Sequence, residues 1–371
     1  MKITCLQENL NKGLFMVSHL AGGTSTLPIL NNILLKIEKG VLNIISTNLE
    51  IGIQTQIRGK VEKEGSFTIP AQLLSNYVNL LPNDQVTLEL EDNQLIIKSK
   101  SSKTKIRGIS AEEFPLIPKI DKSDAYKVKV EDFKKALQQV IFSVYQEESR
   151  PEISGVLFSF NHPKAGEITF VATDSYRLAE KKINFKEHAK KDNIKAIVPK
   201  NTIIELLRIL DGEDEFLDIY LSENQILFSN DKTELVSRLI SGQYPDYQQI
   251  IPQNYKTKAV INTENLIKIV KGASLFSQSG INDINLEILP KANKIVISSI
   301  NNQLGEYNSE VEAEIEGEEN KIVFNYRYLL DGLLNIDEDE VKLEAINDAS
   351  PGILRQVENK DYLYLIMPIK Q

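Results

Sequence analysis

The sequence predicts an α+β protein built from three tandem copies of one domain, and three observations carry that prediction. A strand-then-helix unit, "KITCLQENLNKGLFMVSHL" (2–20), recurs as "YKVKVEDFKKALQQVIFSV" (126–144) and as "KAVINTENLIKIVKGASLFS" (258–277). A second unit, "FTIPAQLLSNYVNLLPNDQVTLELEDNQLIIKS" (67–99), returns at 196–229 and at 322–346. The spacing is roughly 125 residues, a whole domain rather than a solenoid repeat of about 20–50. Boundaries fall in polar stretches just after prolines, near 119–124 and 253–256, giving domains at 1–121, 125–253 and 256–371. A chain of 371 residues is too long for one ordinary core and suits that division.

Each element follows from its periodicity. Apolar residues at i, i+3, i+4 and i+7 mark a helix laying one face on a sheet. In the first domain Leu10, Leu14 and Val17 fit, with Gly13 in the second place, and Leu74, Tyr77, Val78 and Leu81 fit again. Phe133, Ala136, Leu137, Val140 and then Ile203, Leu206, Leu207, Leu210 predict the two helices of the second domain. Leu266, Ile269, Val270, Ala273 and Tyr326, Leu329, Leu330, Leu333 predict those of the third. Pro70 and Pro199 stand where a first helical turn tolerates proline. Between the helices run alternating strand pairs such as "GVLNIISTNLEIGIQTQI" (40–57). In "VATDSYRLA" (171–179) the buried strand Phe170-Val171-Ala172 breaks at the tight turn Thr173-Asp174-Ser175 and resumes through Tyr176, Arg177 and Leu178.

Composition excludes more than it assigns. Hydrophobic residues make up 42% and charged residues 26%, with no apolar run long enough for a membrane span and no secretion signal. A lone cysteine, Cys5, rules out a disulfide framework and suits a reducing cytoplasm. His19, His162 and His188 lie far apart, and no CxxC, HExxH, GxxxxGK[ST], GxGxxG or GxSxG motif occurs, so neither a catalytic set nor a metal or cofactor site is expected. The acid pairs Glu147-Glu148 and Glu318-Glu319 read as solvated charge. An enzyme using Asp174 and Arg177 would lack a partner base or nucleophile at credible spacing.

Charge is the remaining signal. The net charge of −9 argues against a surface coated for nucleic acid but leaves room for a basic patch on one face. Opposite the apolar helix faces stand Lys12, Lys135, Arg208, Lys268 and Lys271, against Glu205 and Asp331. An ordinary solvated face also explains that pattern, and the second helix of the first domain carries no basic residue. "KSKSSKTKIR" (98–107) holds five bases and no acid, whereas "EYNSEVEAEIEGEE" (306–319) holds seven acids and no base. Charge guarding an exposed strand edge accounts for either alone. Together they suggest a head-to-tail contact between the first domain of one copy and the third of another, which closes a ring when the rotation closes. A three-domain scaffold that never meets DNA would explain the repeats but not the helix charges.

With these repeats, "TLPIL" (26–30), "VATDSYRLA" (171–179), "GQYPDYQQIIP" (242–252) and the terminal "YLIMPIK" (364–370), the chain resembles the bacterial sliding clamps, the β subunits of DNA polymerase III, from end to end. The resemblance implies three DNA-clamp domains, sheets outside and two helices per domain lining the hole of a homodimeric ring around double-stranded DNA. It implies DNA-facing roles for Lys12, Lys135, Arg150, Lys200, Arg208, Lys268 and Lys271, and a dimer interface with Lys103, Lys105, Ile106, Arg107, Glu306 and Glu310. The loop "AGGTSTLP" (21–28) carries Thr24 where relatives often have a basic DNA-touching residue, so no such contact is expected there. A client-peptide pocket is implied at Ile153, Thr173, Ser175, Tyr176, Arg177, Leu178, Pro245, Gln249, Ile250, Leu365, Met367, Pro368 and Ile369. Ser175 and Tyr176 replace a glycine and a histidine common in some relatives, so the rim of the pocket is expected to differ. The implied partners are the DNA polymerase III α subunit, the clamp loader and other proteins with a clamp-binding motif, and the implied location is cytoplasmic.

Overall fold

The computed structural model describes residues 1–22, 27–147, 149–162, 164–186, 193–210 and 215–370. Thr24 and Thr26, Glu148 and His188 lie outside the described residues. Among those described are α-helices α1 (Gln7–Ser18), α2 (Ala71–Asn79), α3 (Val130–Ile141), α4 (Lys200–Ile209), α5 (Thr263–Ser274) and α6 (Tyr326–Leu333). Each follows directly on a strand, as the repeated units predict.

Helix faces follow the predicted phase, although Tyr77, Ile269, Tyr326 and Leu330 are only half-buried and α4 is shifted. Leu10, Gly13, Leu14 and Val17 are buried on α1, where a Cβ on Gly13 would lie 2.6 Å from Ile57 Cδ1. Asn262 and Asn325 open α5 and α6 by accepting from the backbone N–H groups of Asn265 and Arg327, satisfying donors that a helix start leaves orphaned. Pro70 stands at the N-cap of α2. On α4 the buried set is Thr202, Ile203, Glu205, Leu206 and Ile209, and Leu207 is only half-buried. Polar partners explain the shift: Thr202 Oγ1 meets Ser237 Oγ at 2.6 Å, and Glu205 meets His19 and Arg208.

The chain forms two compact units. The first comprises Met1–Glu131, Phe185–Lys190 and Asn201–Leu239, and the second Asp132–Asn184, Lys191–Lys200 and Ile240–Gln371. The predicted second repeat therefore contributes to both, because each of its halves joins a neighbouring sheet. In the first unit Thr233–Arg238 pairs with Ile51–Arg58, making an eight-stranded antiparallel sheet that ends at Tyr126–Lys129 and Gly65–Pro70. A five-stranded sheet in the same unit ends at Lys60–Lys63 and Lys103–Arg107. In the second unit Arg177–Asn184 pairs with Tyr362–Ile366 within a twelve-stranded sheet. Its core includes Phe133, Phe158 and Phe170, with Phe158 and Phe170 edge-to-face at 4.7 Å between ring centres.

The acidic strand Gly305–Gly317 alternates strictly. Tyr307, Ser309, Val311, Ala313 and Ile315 turn inward, and Glu306, Glu310, Glu312, Glu314 and Glu316 are exposed. Its two halves pair on opposite sides: residues 305–312 with Lys294–Asn301, residues 313–317 with Thr257–Ile261. Among the described residues each half therefore pairs on one side only, the first leaving open the side that the second pairs and the reverse, with Glu306, Glu310, Glu312, Glu314 and Glu316 all exposed. No helix among the described residues is long and apolar enough to cross a membrane.

Candidate functional site

The turn at 173–177 is built by its own side chains. Asp174 Oδ1 accepts from the backbone N–H groups of Tyr176 and Arg177, each at 3.0 Å. Thr173 Oγ1 accepts from Ser175 N at 3.1 Å and donates to Arg177 O at 2.7 Å. These bonds hold Ser175 at φ +78°, where glycine is the unstrained residue.

Arg177 is committed below the turn. It donates to Asp174 Oδ2 at 2.9 Å, Asp331 Oδ2 at 2.5 Å and Phe142 O at 2.9 Å, and its guanidinium lies 4.6 Å from the centre of the Tyr328 ring. Burial works against that charge, but Tyr364 and the carboxylates of Asp331 and Asp174 outweigh it and hold the pKa above its ordinary value. Arg177 therefore positions the turn instead of offering free donors. Tyr176, by contrast, is 62% exposed and stacks on Tyr328 with ring centres 6.4 Å apart.

Beside the turn lies an apolar floor drawn from separate parts of the second unit. Ile153, Leu157, Val171, Leu178, Ile353 and Leu365 are buried together. Tyr145, Tyr247, Ile251 and Met367 pack against them, half-buried. Leu178 stands opposite Leu365 in register, and Met367 N donates to Tyr176 O at 2.8 Å, tying the C-terminal segment to the turn. Ile369 N donates to Val323 O at 2.8 Å, which fixes the half-buried Pro368 and Ile369 in turn. Tyr244 is buried with its hydroxyl toward Val171 O, and burial pushes its pKa far up. Tyr244, Tyr247 and Ile251 bring the exposed Pro245, Gln249 and Ile250 to the margin of the floor. The residues singled out in the sequence thus divide into a buried floor (Ile153, Thr173, Leu178, Leu365), a half-buried wall and an exposed rim. Sequence reasoning missed Tyr145, Tyr244 and Tyr247, although the tyrosines flanking Pro245 are an aromatic signal in "GQYPDYQQIIP".

The basic residues separate into two kinds. Lys12, Lys135 and Lys268 are exposed and reach Glu8, Asp337 and Glu264, surface pairs worth little in energy. Lys200 reaches Gln146, and Lys271 is exposed at the end of α5. Arg208 departs from the expectation of an outward charge. It donates to Phe15 O at 2.7 Å, Met16 O at 2.5 Å and Glu205 Oε2 at 3.0 Å, so α4 supplies a cationic cap for α1, whose last turn has no basic residue. Arg150 is exposed. Its guanidinium donates to Ser175 Oγ at 2.7 Å, at the turn just described.

Two strand edges complete the picture. Among the described residues Lys103–Arg107 pairs only with Gln94–Lys98. Lys103, Lys105 and Arg107 are exposed on one face, and the side chain of Ile106 on the other is buried in the core, which leaves only its backbone at the edge. Near this edge Tyr77 of α2 reaches Ser102 at 3.1 Å, and the same helix region exposes Leu73 and Leu80, the latter 81%. The acidic edge likewise has Leu304 (67% exposed), Ile300 and Leu275 beside it. These exposed leucines and isoleucine obey no motif and were not legible as a site.

The chain matches three family descriptions in order: "DNA polymerase III beta subunit, N-terminal domain" over residues 1–118, "central domain" over 127–246 and "C-terminal domain" over 248–370. It is 30% identical to the beta sliding clamp of Synechococcus elongatus, covering 100% of this chain and 99% of that one. It is 31% identical to that of Staphylococcus epidermidis, covering 93% of each. Its fold matches the sliding clamp of Bacillus subtilis with a TM-score of 0.95 at 28% identity, covering 100% and 99% of the two chains. The Pseudomonas aeruginosa sliding clamp bound to griselimycin matches with a TM-score of 0.95 at 26% identity, covering all of both.

Proposed function

The chain belongs to the DNA polymerase III β subunit family, and on that premise we propose how its surfaces perform the work of a sliding clamp. It is a non-catalytic accessory subunit made of three clamp domains, which we divide at 1–121, 125–253 and 256–371. Two copies close head to tail around duplex DNA in the cytoplasm. The apolar site of the second unit then holds the DNA polymerase III α subunit, the clamp loader and other carriers of a clamp-binding peptide.

One observation carries the client reading: Ile153, the 173–178 turn, the 245–250 segment and the C-terminal 365–369 converge on one apolar floor. A buried floor with half-buried walls and a few fixed polar groups is what a peptide anchor needs. Met367 and Tyr176 supply adaptable and rigid contact area respectively.

For the dimer, the support is two open edges. If Lys103–Arg107 of one copy adds to residues 305–312 of the other, Lys103, Lys105 and Arg107 share an outer face with Glu306 and Glu310, and opposite charges meet across the seam. Leu73 and Leu80 on one side and Leu275, Ile300 and Leu304 on the other supply the apolar contact that the charges alone lack.

For DNA, Lys12, Lys135, Lys200, Lys268 and Lys271 are the facing residues. Flexible lysines in weak pairs give diffuse, sequence-independent attraction to phosphates, which lets a ring slide. Arg150, which is exposed, joins them although it also reaches Ser175, whereas Arg208 leaves the set because its donors go to α1 and Glu205.

A primer-extension assay with the cognate polymerase and loader tests this reading. Wild-type protein lengthens the products, and Tyr176→Ala/Ile250→Ala protein, which neither loader nor polymerase can hold, leaves them short while its self-association is unchanged. Full stimulation by that double variant contradicts the client site.

A further inference from the structure

An anchor site for a linear peptide does not require its two banks to be tied together, yet here they are. On one bank Arg150 stands just before the turn Pro151–Ile153, whose Ile153 belongs to the floor. On the other, Ser175 is the apex of the 173–177 turn, next to the exposed ring of Tyr176. Arg150 Nη1 donates to Ser175 Oγ at 2.7 Å, and its Nε donates to Glu152 Oε1 at 3.2 Å. Ser175 holds φ +78°, a conformation glycine adopts without strain. Glycine would make the same turn, because Asp174 and Thr173 build it through backbone groups. What serine adds is the hydroxyl that accepts from Arg150.

We propose that the Arg150–Ser175 hydrogen bond is a latch across the mouth of the client site, opened when a peptide enters. This rests on the client-site reading above. Opening frees a guanidinium that has lost one acceptor and retains Glu152. A carboxylate on the entering peptide replaces the lost acceptor with a charge-assisted bond, so the latch favours clients carrying an acidic residue beside their apolar anchors. Neutral clients leave the guanidinium short of a partner and bind more slowly and less tightly.

The probe is a fluorescein-labelled peptide spanning the clamp-binding motif of the cognate DNA polymerase III α subunit, made with either Asp or Asn beside its first apolar anchor. Stopped-flow association is measured on full-length wild type, Ser175→Ala, Ser175→Gly, Arg150→Ala and the Arg150→Ala/Ser175→Ala double variant. Ser175→Ala keeps the backbone constraint and removes only the hydroxyl, and Ser175→Gly also relieves the strain. Both are expected to speed association roughly threefold to tenfold, the range of one lost hydrogen bond at a part-exposed site. Arg150→Ala speeds it equally, the double variant is no faster than either single change, and only the proteins lacking Arg150 lose the preference for Asp over Asn. Wild-type rates in Ser175→Ala, or gains that multiply in the double variant, overturn the latch. A wild-type protein that takes up neither peptide overturns the client reading itself, and the latch with it.

Discussion

At the scale of single residues, the partners of a side chain decide its role more than its phase on a helix. Arg208 lies on the helical turn that predicts an outward charge, yet its donors go to the last carbonyls of α1 and to Glu205. Glu205 itself is buried, with His19 Nδ1 2.5 Å from its Oε1. Arg208→Ala leaves that carboxylate short of its cation, and the expected loss is about 2–3 kcal/mol in urea denaturation, against less than about 0.5 for the surface change Lys12→Ala. Equal small losses would contradict the capping role. Periodicity alone could not reveal this, because the partner of Arg208 lies almost two hundred residues away. Cys5 makes a second residue-scale prediction. Burial pushes its thiol from 9.0 up to about 11, so the fold favours the neutral form. A raised pKa contributes stability that is whole below pH 9 and is lost as pH rises to about 11. The stability of wild type relative to Cys5→Ala should therefore fall across that window, and a constant difference would contradict the buried thiol.

Elements were the most legible level. The strict alternation of "EYNSEVEAEIEG" and the apolar stripes of α1, α3, α5 and α6 follow from spacing, since one face of each is buried. The switch of the acidic strand from one partner strand to another at Ala313 leaves no mark in an alternating pattern. Close packing was likewise invisible. A Cβ on Gly332 of α6 would come within 2.3 Å of the ring of Tyr364, which is fully buried and anchored by its hydroxyl to Tyr328 O at 2.9 Å. Gly332→Ala should therefore destabilise by about 1–3 kcal/mol, where an open helical site would gain up to about 1. A higher melting temperature would contradict that packing. The edges carry their own test. Lys103→Glu/Lys105→Glu should weaken self-association in sedimentation at least about tenfold, and mixing with Glu306→Lys/Glu310→Lys protein should restore it. A charge swap without effect would remove these edges from the interface.

At the scale of the molecule, the threefold repeat was plain in the sequence because each copy repeats the same strand, helix and turn signals. How compactness divides the chain was not. The second repeat gives one half to each unit, since pairing Thr233–Ser237 with Ile51–Thr55 and Arg177–Lys181 with Tyr362–Ile366 satisfies strand edges that a free-standing domain would expose. The client site was readable only through family resemblance. Its floor consists of buried apolar residues that no spacing rule distinguishes from ordinary core. The same holds for the exposed leucines beside the edges, whose meaning depends on a second copy.

The central claim is that the protein holds DNA by enclosing it rather than by gripping it. The most direct measurement is retention on nicked circular DNA after loading by the cognate clamp loader, compared before and after one cut that linearises the circle. Enclosure predicts that the protein stays on the circle at a salt concentration that abolishes phosphate contacts and runs off the ends once the circle is cut. Equal loss from circle and line at that salt would contradict the ring.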